Sequence, residues 1–250
     1  MPVLPVIRLM TRKYYKWFSP SLARHMELLV FGHAGDSVLF FPTRTAHFYD
    51  YENWKIVAAL QDKIEQGLLQ LFCVDSVDAE SFYAHVPPAD KIARHLQYER
   101  YILQEVLPLI IFRAKFTGLI AAGCSLGGYH AVNIAFKYPE YFNKVVAMSA
   151  RYDLTLSSQS FPDLFNGYVD ESVYLNMPSM YMPNLTDTLM LDQIRKLSIS
   201  LVVGKEDPFF ENNKNLSAVL TNKNIQHSLY IWDDEAHRPY HWRKMVRLYL

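Results

Sequence analysis

Cysteine is scarce in this chain: two thiols, Cys73 and Cys124, in 250 residues. Both lie in apolar surroundings typical of buried thiols, neither has the spacing of a metal site, and the pair points to a reducing compartment. An excess of charge is lacking as well. Lys plus Arg and Asp plus Glu number 25 each, so no electrostatic case arises for nucleic acid or an anionic membrane as partner. Long hydrophobic runs are missing: Val106 to Ile120 is broken by Pro108, Arg113 and Lys115, short of the ~18 uninterrupted residues of a membrane span. The apolar start, Met1 to Met10, is interrupted by Pro2 and Pro5 and followed by Arg8, Arg12 and Lys13, the reverse of a secretory signal. Internal repeats, low-complexity tracts and linkers are absent too. These absences lead to the expectation of a soluble, cytoplasmic protein without a nucleic-acid or membrane partner.

What is present is core. Half of the residues are hydrophobic and 14% are aromatic, enough for a large buried interior and against compositional disorder. The length fits one large α/β domain over residues 1–250. After the aromatic stretch Tyr14, Tyr15, Trp17 and Phe18, the runs Met26 to Phe31 and Val38 to Phe41 flank Gly32 to Asp36 and read as an antiparallel hairpin. Tyr51 to Gly67 carries Trp54, Val57, Ala58, Leu60 and Ile64 at helical spacing, with Gly67 as C-cap. Leu69 to Val74 reads as a buried strand followed by the polar loop Asp75 to Ser81. Ala89 to Ile111 reads as a long helix that Pro108 kinks or ends. The strand Leu119 to Ala122, a helix through Tyr138 and the strand Lys144 to Met148 follow. Residues 151–196 break the rhythm with Phe161, Phe165, Tyr168, Tyr174, Tyr181 and Met182 in no sustained period, as an inserted lid or binding loop does. The strand Ile199 to Val203, a helix from Asn212 to Leu220, the strand Ser228 to Trp232 and a basic amphipathic segment from Trp242 to Leu250 complete the chain. Alternating strands and helices imply right-handed crossovers and a mostly parallel sheet covered on both faces.

Within that rhythm, Gly123-Cys124-Ser125-Leu126-Gly127-Gly128 stands between a strand and a helix. A sharp strand-to-helix turn holds a serine in a strained conformation with its hydroxyl exposed, and small neighbours relieve the crowding. A serine hydroxyl is a poor nucleophile at neutral pH, so it needs a general base and a group to orient that base. Both are to be sought beyond the carboxyl ends of the strands. Of nine histidines, His237 directly follows the last strand; His241 is second, and His130, on the helix after Ser125, reads as a packing or hydrogen-bonding residue. Asp207, with Glu206 second, follows the strand Ile199 to Val203. The order Ser125, Asp207, His237 is that of nucleophile, acid and base in α/β-hydrolases. An oxyanion hole then calls for the backbone amide of Leu126 and, from the loop after Phe41, that of Thr43 or Arg44.

Phe41-Pro42-Thr43, Phe72 to Ser81, Gly123 to His130, and His237 with Trp242-Arg243 together resemble the esterase family of the α/β-hydrolases, which includes esterase D, feruloyl esterases and mycolyltransferases, and especially its small bacterial branch. The resemblance covers nearly the whole chain and implies an α/β-hydrolase fold, with a mostly parallel central sheet, helices on both faces and an amino-terminal antiparallel hairpin. It transfers the elbow, acid and histidine to Ser125, Asp207 and His237. Two positions depart from it: Thr43-Arg44-Thr45-Ala46-His47 stands where many members have a glycine-containing loop, and Ala236 and Arg238 flank His237 where many have Gly and Asp. The resulting expectation is a serine carboxylesterase acting on a small-molecule acyl ester, without metal or other cofactor, and with Phe161 to Met182 as an apolar pocket wall. An acyltransferase with the same residues, and a catalytically silent binding or assembly protein on the same scaffold, are the alternatives. The oligomeric state is left open, a homo-oligomer included.

Overall fold

The computed structural model describes residues 10–113, 118–158 and 160–250. Residues 1–9 of the amino-terminal run, and Lys115 in the broken apolar run, lie outside the described residues. Eight strands form one sheet: β1 (Arg12–Ser19), β2 (Arg24–Phe31), β3 (Asp36–Phe41), β4 (Leu69–Val74), β5 (Leu119–Cys124), β6 (Lys144–Met148), β7 (Ser198–Gly204) and β8 (His227–Trp232). Their spatial order is β1-β2-β4-β3-β5-β6-β7-β8. The six strands from β4 to β8 in that order pair in parallel, while β1 and β2 are antiparallel additions.

An antiparallel hairpin does lead the chain, but it is built one strand earlier than the apolar runs imply. Arg12–Ser19 pairs with Arg24–Phe31, whereas β2 and β3 never pair, because β4 lies between them. The turn at Gly32 to Gly35 therefore starts a crossover rather than a hairpin.

Side-chain alternation along the central strands divides the interior in two. Leu39 and Phe41 of β3 and Ala121 of β5 pack with Tyr98, Val106, Val132 and Phe136 on one face. Val38, Phe40, Ile120, Ala122 and Cys124 pack with Ile56, Val57, Leu60, Ile64, Trp242 and Met245 on the other. Every residue of β5 is buried, as a strand covered on both faces requires, and both cysteines are buried free thiols in the second layer. The edge strand β8 instead has only half-buried and exposed residues.

The helix expected over Tyr51 to Gly67 is three short turns, Asp50–Asn53, Ile56–Ala59 and Gln61–Glu65. Lys55, with φ of 61°, breaks the first from the second, yet the apolar stripe still reaches one layer. Gly67 caps the last turn: its N–H donates to the Ile64 carbonyl and that of Leu68 to the Lys63 carbonyl, with Gly67 at φ +71°, a Schellman stop. The long helix begins at Pro88 and runs to Arg113, through a π-helical turn at Ile102–Val106. Pro108 explains that turn, since it has no N–H to return and its ring presses on the carbonyl of Gln104. Within 151–196 the described residues include short helices, Glu171–Tyr174, Pro178–Tyr181 and Thr188–Ile194; Asp170 and Asp187 cap the first and last by accepting from Val173 N and Met190 N. Among the described residues no helix is long and apolar enough to cross a membrane.

Candidate active site

β5 delivers Ser125 at the middle of the sheet, with φ 54° and ψ −121°, a left-handed conformation that costs a non-glycine residue about 1–3 kcal/mol. The surroundings hold it there. Ser125 N donates to the Met148 carbonyl at 2.8 Å, and the Ser125 carbonyl accepts from Gly128 N at 3.0 Å at the start of the helix Leu126–Lys137. The flanking glycines are required by contact: a Cβ on Gly123 falls 2.2 Å from the backbone of Gly127, and one on Gly127 falls 2.2 Å from the Phe41 carbonyl oxygen and 2.6 Å from that of Pro42. Helix and loop thus touch backbone to backbone, bringing Thr43 and Arg44 to the mouth of the elbow.

Tyr51 locks the same junction from below. Its buried hydroxyl donates to the Phe41 carbonyl at 2.7 Å and accepts from Cys124 N at 3.0 Å, so the carboxyl ends of β3 and β5 share one bridging group. Burial, first of all, raises the phenol's pKa well above its ordinary value and keeps the donor proton in place.

His237 and Asp207 come from the loops after β8 and β7. His237 Nε2 lies 3.0 Å from Ser125 Oγ, and His237 Nδ1 lies 3.0 Å from Asp207 Oδ2. The other oxygen of Asp207 accepts from Phe209 N at 2.9 Å, which fixes a carboxylate that is 4% exposed. Gly204 makes the two loops compatible, because a Cβ there would meet the Asp234 and Glu235 carbonyl oxygens at 2.3 and 2.4 Å. Ser149 pins the residue before the histidine, donating from Oγ to the Ala236 carbonyl at 3.1 Å. The edges and faces of Phe209 and Trp242 close on the imidazole at 5.4 and 5.6 Å between ring centres. In this arrangement a proton on Ser125 Oγ has an acceptor, and the imidazole that takes it has a carboxylate behind it.

Ser125 and His237 open into a cleft of about 280 Å³, with Thr43, Arg44 and Leu126 at its wall. All six residues singled out in the sequence are therefore gathered at one place. The second choices are not: Glu206 is exposed, His241 sits on the helix Pro239–Tyr249 and does not line the cleft, and His130 is buried against Asp78. Of the aromatic insertion, Phe161 lines the cleft, while Phe165, Tyr181 and Met182 pack inside the core; the wall comes equally from Trp54, Tyr83, Phe209 and Trp242. Arg151 and Tyr83 went unnoticed in the sequence. Both follow strand ends, of β6 and β4, and the rule that ligands gather at strand carboxyl ends points to them.

A parallel sheet with a strained serine at its centre, and a histidine and an aspartate from the two following strand ends, defines an α/β-hydrolase. The model of the Esterase family, described as "Putative esterase", matches residues 49–244, and the chain belongs to that family, which makes it a hydrolase of the esterase class. Ser125, Asp207 and His237 fall inside the matched stretch; Thr43 and Arg44 precede it. Among solved structures the chain is similar to a ferulic acid esterase (16% identity, 96% of each chain covered, TM-score 0.76). It is similar also to an S-formylglutathione hydrolase from Agrobacterium tumefaciens (16% identity, 95% of this chain and 92% of that one, TM-score 0.72). A third is the fluorophosphonate-binding serine hydrolase F of Staphylococcus aureus, with substrate bound (17% identity, 96% and 97% covered, TM-score 0.68). At these identities the likeness is one of fold. No curated protein matches the chain in sequence.

Proposed function

We propose that the chain is a serine carboxylesterase that works through an acyl-enzyme on Ser125. The observation that carries this reading is the unbroken pair of 3.0 Å contacts from Asp207 through His237 to Ser125 Oγ, at the floor of an open cleft. Ser125 Oγ attacks the ester carbonyl while His237 Nε2 takes its proton, and Asp207 holds the imidazole in the tautomer that leaves Nε2 free. The tetrahedral oxyanion is held by the Leu126 amide, at the amino end of a helix, and by the amide of Thr43 or Arg44. The imidazolium then protonates the departing alcohol. Water, activated by the same imidazole, releases the acid and restores Ser125.

A fluorophosphonate probe tests this. Purified protein is expected to label at Ser125 and to lose the label in Ser125→Ala, with unchanged circular dichroism. Turnover of a short-chain 4-nitrophenyl ester is expected to disappear in the same variant. Folded wild-type protein that takes no label and turns over no ester removes the enzyme reading. If added alcohols divert the product from acid to new ester as the main course, the acyl group goes to an acceptor other than water, and the chain is an acyltransferase.

A further inference from the structure

The cleft beside Ser125 is lopsided in charge. Its lining includes two arginines, Arg44 and Arg151, and no carboxylate, in a chain whose formal net charge is zero. Arg151 is 4% exposed. Its Nε donates to the Asp153 carbonyl and its Nη2 to the carbonyls of Leu154, Leu156 and Pro162, which tie the first turn of the insertion to the end of β6. Among the described residues no carboxylate comes within ion-pair distance of it, and Nη1 has no acceptor. Burial lowers its pKa from the ordinary value, opposed by attraction to Tyr83 and to the Asp153 and Asp163 carboxylates beyond ion-pair distance, as for a cation held away from water and compensated at longer range. Arg44, at the rim, lies 5.6 Å from the ring of Tyr83 and 5.9 Å from that of Phe161, and it too forms no ion pair among the described residues. The guanidinium also reaches the Tyr83 hydroxyl by a side-chain hydrogen bond, and its planar fork, flanked by the two rings, has further N–H groups for a ligand. Tyr83 adds a neutral donor, its phenol pushed up to about 12 mainly by burial.

Two cations at one cleft, neither in an ion pair among the described residues and both against apolar walls, select for an anion. We propose that the cleft takes an ester bearing a carboxylate, with Arg44 pairing with that carboxylate through its planar fork and Arg151 supplying a fixed positive field behind it. The inference rests on the esterase reading of the same cleft, and it goes further by naming the substrate class. The carboxylate belongs to either the acyl or the alcohol part of the ester.

Two matched ester pairs distinguish the positions: mono(4-nitrophenyl) glutarate against its methyl ester, and 4-acetoxybenzoate against methyl 4-acetoxybenzoate. In at least one pair the anionic member is expected to have the higher kcat/KM by about tenfold or more at low salt, as charge-assisted hydrogen bonds provide, with the advantage shrinking in high salt. Arg44→Leu is expected to collapse that ratio, and Arg44→Lys to restore part of it. Ratios near one in both pairs, or a ratio that Arg44→Leu does not move, overturn the inference while leaving turnover, and so the esterase reading, intact. A binding arm separates the reverse case. Ser125→Ala is expected to bind the anionic member more tightly in at least one of two pairs, monomethyl against dimethyl glutarate and 4-acetoxybenzoate against its methyl ester; that preference without any turnover by the wild type sinks the esterase reading and keeps the anion site, whereas equal binding in both pairs sinks the anion site.

Discussion

Two histidine–aspartate pairs flank residues 125–130, and nearly equal geometry serves them differently. His237 and Asp207 meet at 3.0 Å, His130 and Asp78 at 3.1 Å. The first pair leaves its second ring nitrogen on Ser125 Oγ, in a cleft open to ligand. The second has no such outlet. His130 is 3% and Asp78 1% exposed, and the imidazole is walled by the rings of Phe41, Phe82, Tyr98 and Tyr129. A histidine held by a carboxylate is thus as much a packing device as a chemical one. What decides is the group at the far nitrogen and the access of a reactant to it.

The sharpest way to break the comparison is to strike each pair and read both activity and stability. On the His237 side, Ser125→Ala is expected to lower kcat/KM for a short-chain aryl ester by about 10⁴-fold or more, and Asp207→Asn, which unsettles the tautomer, by about 10³–10⁴-fold. Urea midpoints of Ser125→Ala are expected to stay near the wild type, because alanine inherits the same backbone strain and little buried volume is lost. On the other side, His130→Leu strands the Asp78 carboxylate in the interior. It is expected to lower unfolding free energy by about 3 kcal/mol, read as a lower urea midpoint, with kcat/KM per folded molecule within a few-fold of the wild type. A His130→Leu protein as stable as the wild type but inactive would reverse the roles assigned here.

Gly127 links the two sides. Adding a methyl group there puts carbon 2.2 Å from the Phe41 carbonyl oxygen, so the Phe41 to Arg44 backbone has to retreat from the elbow. Gly127→Ala is expected to cost about 10²-fold in kcat, the scale of one lost oxyanion donor, with KM changed less. An unchanged kcat would show that the Thr43 and Arg44 amides play no part in the transition state.

How much of this was legible in the sequence depended on whether the signal was local. Ser125, Asp207 and His237 could be found because each follows its own apolar strand, and strand ends converge in a parallel sheet. Strand pairing was not legible in the same way. Met26 to Phe31 and Val38 to Phe41 look like a hairpin across Gly32 to Asp36, yet β4, some 30 residues on in the chain, intervenes; nothing local encodes that insertion. The β1 strand was hidden by its solvent-facing aromatics, since Tyr14 and Phe18 are exposed at the sheet's edge. For Arg151 only its place after β6 was a signal: its burial and partners depend on carbonyls of the insertion that fold around it, a tertiary arrangement of short helices without sustained period. The His130–Asp78 pair joins residues 52 apart in the chain; the packing or hydrogen-bonding role of His130 was readable, its partner was not.

The buried side also has its own pH signature, which sharpens the contrast at smaller scale. His95, 3% exposed, lies 5.6 Å from the ring of His130 and within 3.5 Å of the Tyr129 hydroxyl. Burial, and next the charge of His130, hold its pKa well below the ordinary value of 6.5. The unfolded chain therefore takes up a proton near that ordinary value while the folded chain does not. The contribution to stability is complete above about pH 6.5 and is lost as pH falls toward the lowered folded value, with a slope of up to about 1.4 kcal/mol per pH unit. His95→Gln keeps a side chain able to hydrogen bond but removes the titration. Urea midpoints at pH 7.5, 6.5 and 5.5 are expected to fall more gently in His95→Gln than in the wild type, so that the two, each taken relative to its own pH 7.5 value, differ most at pH 5.5. Parallel curves would mean that His95 takes up its proton inside the fold, and that the interior beside the elbow tolerates a charge that its walls of tyrosine and phenylalanine should refuse.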